Sequence, residues 1–344
     1  MKFSSLDSRG PVLSRRRALV IMAAAGGLGL AFKGAKARGA SDVAPVRWRG
    51  VALGARAEMI LYHPNRVEGR KILDRAVLEV RRLENVFSLY KASSALSRLN
   101  GAGYLDAPPL DLVRLLSTAQ RFGDISGGAF DMTVQPLWAA YARAAQIDGG
   151  GSQGPDARRL RAALELVDYR RVDIQTGRIA FAKPAMAITL NGIAQGYVTD
   201  RVADLLGQEG IDDILVDLGE MRALGGHPDG RPWRVGVQNP VHRDKVSVPL
   251  ALRDKALATS GGYGFAFGDN GENTHIFDPR TGRSPKRYES VSVTAPHAVT
   301  ADALSTAFCC MDTDAIKTVL GKMRDTGAII VNGVNGEKVT RLGA

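Results

Sequence analysis

The stretch Ala187-Ile-Thr-Leu-Asn-Gly-Ile-Ala-Gln-Gly-Tyr197 predicts a strand end, a polar turn and the start of a helix. The following segment, Tyr197 to Glu209, has the spacing of an amphipathic helix, with Val198, Val202, Leu205 and Leu206 on one side. Free N–H groups at a helix N-terminus attract phosphate, and Gly192 lets the backbone approach a ligand or turn its carbonyl toward a metal. The same stretch is equally compatible with a tight connection that binds nothing.

Elements on both sides of this stretch interleave irregularly. Alternation and helical periodicity predict an opening strand over Arg47–Tyr62, helices over Val67–Val86, Pro109–Gly123 and Ala301–Met311, and strands over Ile214–Leu218, Trp233–Gln238 and Val291–Ala295. The low-complexity segment Asp148–Pro155 is interpreted as a surface insertion between helices. Irregular interleaving with hairpin-like spacing in the second half predicts an α+β fold rather than a regular βαβ series.

Composition indicates a soluble globular protein, because 45% of the 344 residues are apolar and 24% are charged. The net charge of +11 is concentrated at the N-terminus, since seven of the 46 basic residues but only one of the 35 acidic residues fall in the first 37 positions. The rest of the chain carries 39 basic and 34 acidic residues. Nucleic acid is therefore not an expected partner.

The N-terminus has the pattern of an export signal. Ser14-Arg15-Arg16-Arg17 precedes a charge-free run from Ala18 to Phe32, which is shorter than the ~20 residues that span a bilayer. Ala35-Lys36-Ala37 is a candidate cleavage site. We expect residues 1–37 to be a twin-arginine-type signal peptide and residues 38–344 to be an exported, periplasmic domain. An ordinary secretory signal or an uncleaved anchor is the alternative.

A candidate metal site lies in Thr300-Ala-Asp-Ala-Leu-Ser-Thr306. Asp302 and Thr306 are spaced i, i+4 and share one face of a predicted helix start. A carboxylate and a hydroxyl are hard oxygen ligands of the kind that Mg²⁺ prefers. Thr300 or Asp302 could instead cap the helix, which is the commoner use of such residues.

A candidate base is His275, in the segment Thr274-His-Ile-Phe-Asp-Pro-Arg-Thr-Gly282. Imidazole is a natural general base near neutral pH, although a structural histidine is the alternative. Upstream, Thr259-Ser-Gly-Gly-Tyr263 offers hydroxyls and backbone N–H groups. The segment Gly127–Trp138 begins with paired glycines that either allow close packing against a flat ligand or form a plain turn.

Several enzyme classes lack their motifs in this chain. The sequence contains no G-x-G-x-x-G after a strand, no P-loop, no G-x-S-x-G elbow and no Cys/His metal cluster. The two cysteines, Cys309 and Cys310, are adjacent, so we expect buried thiols rather than a disulfide.

Taken together, the segments resemble the ApbE family of FAD:protein FMN transferases over roughly residues 48–335. The resemblance is carried by Phe87–Tyr90 with Ser94–Asn100, Gly128–Asp131, Leu190–Tyr197, Ala258–Gly261, His275–Gly282 and Ala301–Thr306, in that order. It implies a single α+β domain with mixed or antiparallel sheets and flanking helices. It also implies an enzyme that uses Mg²⁺ and FAD, transfers FMN through a phosphoester bond to a threonine or serine of an acceptor protein, and releases AMP.

The resemblance also implies roles for individual residues. Gly192 (through its carbonyl), Asp302 and Thr306 would hold Mg²⁺, and His275 would act as the base. The FAD site would be lined by Leu53, Tyr90, Ala129, Phe130, Asp131, Thr189, Gln195 and Ile276. Tyr90 and Phe130 could wall the slot for the flavin ring by stacking.

Two departures from the family pattern stand out. Many members have lysine where this chain has Gln195, and many have a longer Asp-Leu-Gly-Gly-Glu/Asp motif where this chain reads Asp217-Leu-Gly-Glu-Met221. The shortened motif, the Thr133–Trp138 wording and the twin-arginine pattern resemble an exported subgroup associated with nitrous oxide respiration. The acceptor expected there is a membrane-bound respiratory flavoprotein.

Two other functions are compatible with the same residues. One is a periplasmic FAD pyrophosphatase that releases FMN and AMP without transfer. The other is a non-catalytic flavin-binding assembly factor. Transfer predicts a covalently modified acceptor, whereas an assembly factor would keep its function without His275 or Asp302.

Overall fold

The computed structural model describes residues 44–147, 154–267, 271–333 and 335–343. The predicted signal peptide and its boundary at residues 37/38 lie outside the described residues, as does most of the predicted insertion at 148–155. Among the residues that are described, no helix is both long enough and apolar enough to cross a membrane.

Strands and helices alternate irregularly, as predicted. The strands are β1 (Pro45–Ala52), β2 (Ala55–Tyr62), β3 (Tyr104–Asp106), β4 (Val172–Ile174), β5 (Arg178–Phe181), β6 (Ile214–Asp217), β7 (Met221–Leu224), β8 (Trp233–Gln238), β9 (Val246–Leu252), β10 (Ala256–Ser260), β11 (Ala266–Phe267), β12 (Asn273–Thr274), β13 (Ser290–Ala295), β14 (Gly327–Asn332) and β15 (Lys338–Gly343). The helices are α1 (Arg66–Phe87), α2 (Ala95–Ala102), α3 (Leu110–Ile125), α4 (Gln135–Ile147), α5 (Ala157–Leu164), α6 (Ala194–Gln208), α7 (Ala298–Cys309) and α8 (Thr313–Leu320).

The main sheet has eight strands in the order β1-β2-β6-β7-β10-β13-β14-β15. Every neighbouring pair in it is antiparallel. The smaller sheets, β3-β5-β4, β8-β9 and β11-β12, are antiparallel as well. The α+β prediction is confirmed.

Both faces of the main sheet are buried. Alternate residues of one strand belong to different cores: Met59 and Leu61 pack in the larger core with the helices, whereas Ile60 packs in a second core with β8 and β9. Burial on both faces explains why every residue of β6 and β10 is buried and why β6 begins as an apolar run rather than an alternating pattern.

A third, smaller cluster supports the candidate site. Leu137 and Tyr141 of α4 pack with Ala163 of α5, Phe267 of β11 and Phe277. This cluster fixes α4 against the segment that contains His275.

Several predicted boundaries are wrong. The opening strand Arg47–Tyr62 is two strands, because Leu53 and Gly54 have positive φ angles (51° and 78°) and form a two-residue hairpin turn. Residues 187–191 form no strand, and Asn191 already belongs to the turn before α6; α2 was not predicted.

The long helix was predicted well. α1 coincides with the predicted Val67–Val86 to within one residue, because Asn65 caps it and its apolar face is regular. Cys309 and Cys310 are free and buried, as expected.

Candidate active site

The turn before α6 is built by local backbone hydrogen bonds. Ile193 N and Ala194 N both donate to Leu190 O, at 3.0 and 2.8 Å. Ile193 occupies the N-cap position without a side-chain cap bond. The preceding segment is fixed from outside, since Asn100 of α2 bonds both the N–H and the carbonyl of Ile188 at 2.8 Å.

Asp302 lies inside α7 and does not cap it. The N-cap of α7 is His297, so the capping alternatives for Thr300 and Asp302 are wrong. Asp302 is fully buried, and its Oδ2 accepts a hydrogen bond of 3.0 Å from Gly196 N in the first turn of α6. The carboxylate therefore joins α7 to the start of α6, which is where an acceptor is favoured by the helix dipole.

Asp200 makes the reverse connection and was missed from the sequence. It lies on α6, and its two carboxylate oxygens accept from Ala298 N at 2.8 Å and from Val299 N at 2.9 Å in the first turn of α7. Arg222 of β7 donates to the same carboxylate. Nothing in the sequence distinguishes Asp200 from an ordinary polar residue of an amphipathic helix.

Thr306, one turn after Asp302, faces the turn before α6. Ser260 Oγ lies 3.1 Å from its Oγ1, and both atoms are hydroxyl oxygens that can donate or accept. A Cβ built on Gly192 would lie 3.0 Å from Thr306 Oγ1 and 3.4 Å from Phe130. Glycine at position 192 therefore lets three segments meet at close range.

One cleft collects most of the predicted site residues. Its open space is about 650 Å³ including the solvent at its mouth. Eight predicted residues line it, namely Ala129, Phe130, Asp131, Thr189, Gly192, His275, Ile276 and Thr306. The lining that was not predicted includes Trp138, Asn191, Phe277 and Pro279. Asp302 is buried one helical turn from Thr306.

Both carboxylate oxygens of Asp131 accept hydrogen bonds from other residues of the protein. Oδ1 accepts from Thr133 N (2.7 Å) and Thr133 Oγ1 (2.5 Å), and Oδ2 accepts from Tyr169 N (3.0 Å). Burial raises the pKa of this carboxyl, and the bonds from Thr133 and Tyr169 partly offset that effect. Asp131 thus shapes the turn at the cleft wall.

The paired glycines before this turn, Gly127 and Gly128, have φ angles of 60° and 80°. A Cβ at either position would meet no atom within 4 Å. They form the plain turn that follows α3, which favours the second of the two interpretations made from the sequence.

His275 is held at the cleft by backbone. Its Nδ1 lies 3.1 Å from Phe265 O, and because a carbonyl only accepts, Nδ1 must be the donor. In the neutral ring Nε2 is then the nitrogen that can accept a proton. A Cβ on Gly264 would lie 2.9 Å from His275 Cε1, so a glycine is needed beside the ring.

Tyr90 lies in an adjoining cavity rather than in the cleft itself. Its side chain is 71% exposed, and the cavity is also lined by Asn100, Gln135 and Ala187. Trp138 and Asn191 line both spaces and connect them. Trp138 belongs to the Thr133–Trp138 motif noted in the sequence, but its position between the two cavities depends on where α4 packs.

Leu53 and Gln195 line neither space. Leu53 is at the β1–β2 turn, and its N–H donates to Glu84 Oε1 at 2.7 Å. Gln195 is buried, and its amide packs so closely on Gly219 that a Cβ there would lie 2.3 Å from Nε2. Gly219, at φ 101°, belongs to the shortened Asp217–Met221 motif. The two departures noted in the sequence are therefore in direct contact.

The acidic residues of that motif are both buried. Glu220 Oε2 accepts from Thr259 N at 3.2 Å, and Asp217 Oδ1 accepts from Gly219 N at 3.0 Å. Burial, together with repulsion from Glu58, raises the pKa of Asp217 to about 7.

The oxygen donors at and beside the cleft suit a hard cation that is held by one protein carboxylate together with the phosphates of a bound substrate. Within the described ranges, no group of three or more His, Cys, Asp or Glu side chains could hold a metal. Asp302, Thr306 and the Gly192 backbone offer one carboxylate, one hydroxyl and one carbonyl. Mg²⁺ is commonly bound by one or two carboxylates together with substrate phosphates.

Comparison with known proteins points to one family. A sequence model described as the ApbE family matches residues 53–330. The chain is 29% identical to the FAD:protein FMN transferase of Haemophilus influenzae over 72% of this chain and 75% of the relative. It is 30% identical to the FAD:protein FMN transferase of Escherichia coli K12 over 69% of this chain and 70% of the relative.

The fold agrees with a solved relative. The flavin transferase ApbE from Vibrio cholerae superposes with a TM-score of 0.73 at 25% identity, covering 87% of this chain and 97% of that protein.

Proposed function

The chain belongs to the ApbE family and is an FAD:protein FMN transferase; we propose that it binds FAD in the cleft and passes the FMN half to a threonine or serine of a partner protein, with Mg²⁺ bound at Asp302 and Thr306. The observation that carries the proposal is the meeting of His275, Gly192 and Thr306 in one cleft, although the three are far apart in the sequence.

The metal proposal is supported by the chemistry and the close approach of the donors. Asp302 supplies a buried carboxylate beside the first turn of α6, and Thr306 supplies a hydroxyl at the cleft. Gly192 lies close to Thr306, at a distance that a Cβ would crowd, and its backbone carbonyl would be the third ligand. When bound, Mg²⁺ would neutralise charge on the phosphoryl oxygens of FAD.

The transfer step needs an acceptor hydroxyl, a proton acceptor and a leaving group. The hydroxyl oxygen bonds to the FMN-side phosphorus, the bond from that phosphorus to the bridging oxygen breaks, and AMP leaves with the bridging oxygen. Nε2 of His275 takes the hydroxyl proton, because Nδ1 is committed to Phe265 O. General-base catalysis of this kind contributes roughly 10²–10⁴-fold in rate.

The flavin ring needs a flat apolar slot. Phe130 and Trp138 line the cleft, and Trp138 and Tyr90 line the adjoining cavity. Aromatic side chains bind planar rings by stacking or edge contacts worth about 0.5–1.5 kcal/mol each. We assign FAD to the cleft and its continuation past Trp138.

The place of action is proposed from the sequence. Arg15, Arg16 and the short apolar run favour twin-arginine export, and the acceptor would then be a periplasmic or membrane-bound respiratory flavoprotein. Replacing both arginines by lysine should keep the protein in the cytoplasm, which cell fractionation measures. Unchanged export of the double variant would contradict the proposal.

The reaction is tested by incubating residues 38–344 with FAD, Mg²⁺ and a candidate acceptor domain. Transfer gives a fluorescent acceptor band that survives denaturation. An unlabelled acceptor in the presence of free FMN and AMP would show hydrolysis instead.

A further inference from the structure

The chain that leaves the candidate site after His275 forms a second, separate cavity. Residues 278–282 make a tight turn, in which Gly282 N donates to Asp278 O at 2.8 Å. The open space beyond this turn is about 590 Å³ including the solvent at its mouth. It is lined by Asp278, Thr281, Arg283, Ser284, Pro285, Lys286, Arg287 and Cys310, and we call it the basic cavity.

One turn forms the wall between the two spaces. Phe277 and Pro279 line the cleft that contains His275, whereas Asp278, between them in sequence, lines the basic cavity. Successive residues thus face opposite sides, as in extended chain. A molecule seated in the basic cavity would lie one chain thickness from the cleft.

The spacing between the cavities is fixed by hydrogen bonds. Ser284 Oγ accepts from Thr274 N at 2.8 Å and donates to Thr274 O at 2.9 Å, which ties the far side of the turn to the neighbour of His275. Arg280 ties the turn to the end of α7 by donating a hydrogen bond of 2.6 Å to Cys310 O. The basic cavity therefore has a defined position relative to the candidate base.

The basic cavity carries a positive charge on side chains that are exposed to solvent. Its acidic member, Asp278, is already held by Arg280 through two bonds of 2.8 Å. Within the described part of the chain, Arg283 and Arg287 have no carboxylate partner within ion-pair distance. Lys286 pairs with Glu272 at 3.4 Å, but both side chains are more than half exposed, so that pair is weak.

We propose that the basic cavity binds an acidic segment of the acceptor protein, next to the threonine or serine that receives FMN. This inference rests on the proposed function and adds a recognition site to it. Exposed cations at the rim of a site attract a partner of opposite charge and orient it, while the reacting hydroxyl, on a neighbouring residue of the acceptor, enters the cleft on the other side of the Phe277–Pro279 wall.

A protein segment fits the cavity better than the phosphates of FAD. The three cations are long exposed side chains, and among the residues that the structure describes no helix N-terminus contributes N–H groups to the lining. Gly192, in the turn before α6, and Thr306 line the cleft on the other side of the wall. Carboxylates on a mobile peptide need only charge and access.

The test uses two labelled synthetic peptides that carry one threonine flanked either by aspartates or by asparagines. Fluorescence anisotropy measures their affinity for the wild type and for Arg283→Gln/Lys286→Gln/Arg287→Gln at low and high salt. We expect the triple variant to bind the aspartate peptide about tenfold more weakly, the sum of three modest charge contacts. Salt should remove most of the difference.

A matched control removes the same charge elsewhere. Lys322, Lys338 and Arg341 are exposed and lie outside the lining of both cavities, so their glutamine variants should bind the peptide like the wild type. FAD affinity, followed by flavin fluorescence, should be unchanged in both triple variants.

Two results would overturn the inference. One is equal affinity of the wild type and the basic-cavity variant for the aspartate peptide. The other is a matching loss of FAD affinity, which would assign the cavity to the nucleotide. Failure of the wild type to transfer FMN to any acceptor would reject the proposed function instead, and the peptide affinities would still be measured.

Discussion

Asp200 and Asp302 each bond the first turn of the helix that carries the other. Asp302 on α7 accepts from Gly196 N of α6, and Asp200 on α6 accepts from Ala298 N and Val299 N of α7. On its own helix, Asp200 lies four residues after the donor Gly196, and Asp302 lies four residues after the donor Ala298 and three after Val299, so the two connections are reciprocal. It sets α7, with Asp302 and Thr306, in a fixed position against the turn at Gly192.

The carboxylate of Asp302 should be needed for Mg²⁺. Asp302→Asn keeps an oxygen for Gly196 N but removes the charge, so we expect Mg²⁺ affinity and FMN transfer to fall by a factor of roughly 100 with little change in fold. Mg²⁺ titration of the transfer rate and circular dichroism measure the two effects. Asp312→Asn, at the exposed N-cap of α8, is the control that should behave like the wild type. Full activity of Asp302→Asn would remove the metal role.

Asp200 should contribute more to the free energy of unfolding than Asp204, which lies one turn later on α6. Asp200→Ala leaves two helix N–H groups and the buried Arg222 without this acceptor, so we expect the free energy of unfolding to fall by about 3 kcal/mol. Asp204 is 3.6 Å from the same guanidinium but is largely exposed, so Asp204→Ala should cost less than about 1 kcal/mol. Urea unfolding compares the two variants. Equal losses would contradict the capping role.

A methyl group at Gly192 should disturb the proposed Mg²⁺ site beside Thr306. The new Cβ would lie 3.0 Å from Thr306 Oγ1, so Gly192→Ala must displace Thr306 or Phe130. We expect the Mg²⁺ concentration for half-maximal transfer to rise about tenfold. Gly101→Ala on α2 is the control, because its Cβ meets nothing within 4 Å and alanine favours a helix. Identical Mg²⁺ dependence of both variants would show that Gly192 is only a turn residue.

His275 should affect the transfer step and not FAD binding. His275→Gln is expected to lower the transfer rate by roughly 10²–10⁴-fold, while the flavin fluorescence titration is unchanged. The exposed His242 provides a control, and His242→Gln should keep full activity. If FAD affinity and the transfer rate of His275→Gln fall by the same factor, the residue contributes to FAD binding and is not the general base.

Asp217 predicts a pH dependence of stability. The pKa of its carboxyl is about 7 in the folded protein and near 3.8 without the fold, so the folded state keeps a proton that the unfolded chain releases between these values. Stability from this group is present below about pH 4 and is lost as pH rises through 7, by at most about 1.4 kcal/mol per pH unit.

Asp217→Asn cannot ionise and should abolish that loss. Urea unfolding at pH 5 and pH 8 should therefore show the wild type weakening relative to the variant at the higher pH. The exposed Asp244→Asn is the control and should follow the wild type at both values. A difference between wild type and Asp217→Asn that does not change with pH would contradict the raised pKa.

Local signals in the sequence predicted some elements well and others not at all. α1 was predicted because Asn65 and a regular apolar face are local features. The Leu53–Gly54 turn was missed because a leucine with positive φ is uncommon, and the start of α7 was missed because its N–H groups are bonded by Asp200 on another helix. The amino-acid sequences of the motifs and their order along the chain identified most cleft residues, including His275 and Thr306.

Contacts between distant segments could not be predicted. Trp138 joins the two cavities only through the packing of α4, and the closeness of Gln195 and Gly219 depends on the sheet. The basic residues Arg283–Arg287 were an unremarkable charged stretch until the turn placed them behind His275.

The central claim is transfer of FMN to a protein hydroxyl with release of AMP. The most direct measurement is the amount of AMP released against the amount of FMN covalently bound to an acceptor, determined by chromatography and by mass spectrometry of the modified peptide. We expect equal amounts, with FMN on a threonine or serine, and both products reduced together in His275→Gln. AMP released together with free FMN, on an unmodified acceptor, would contradict the account.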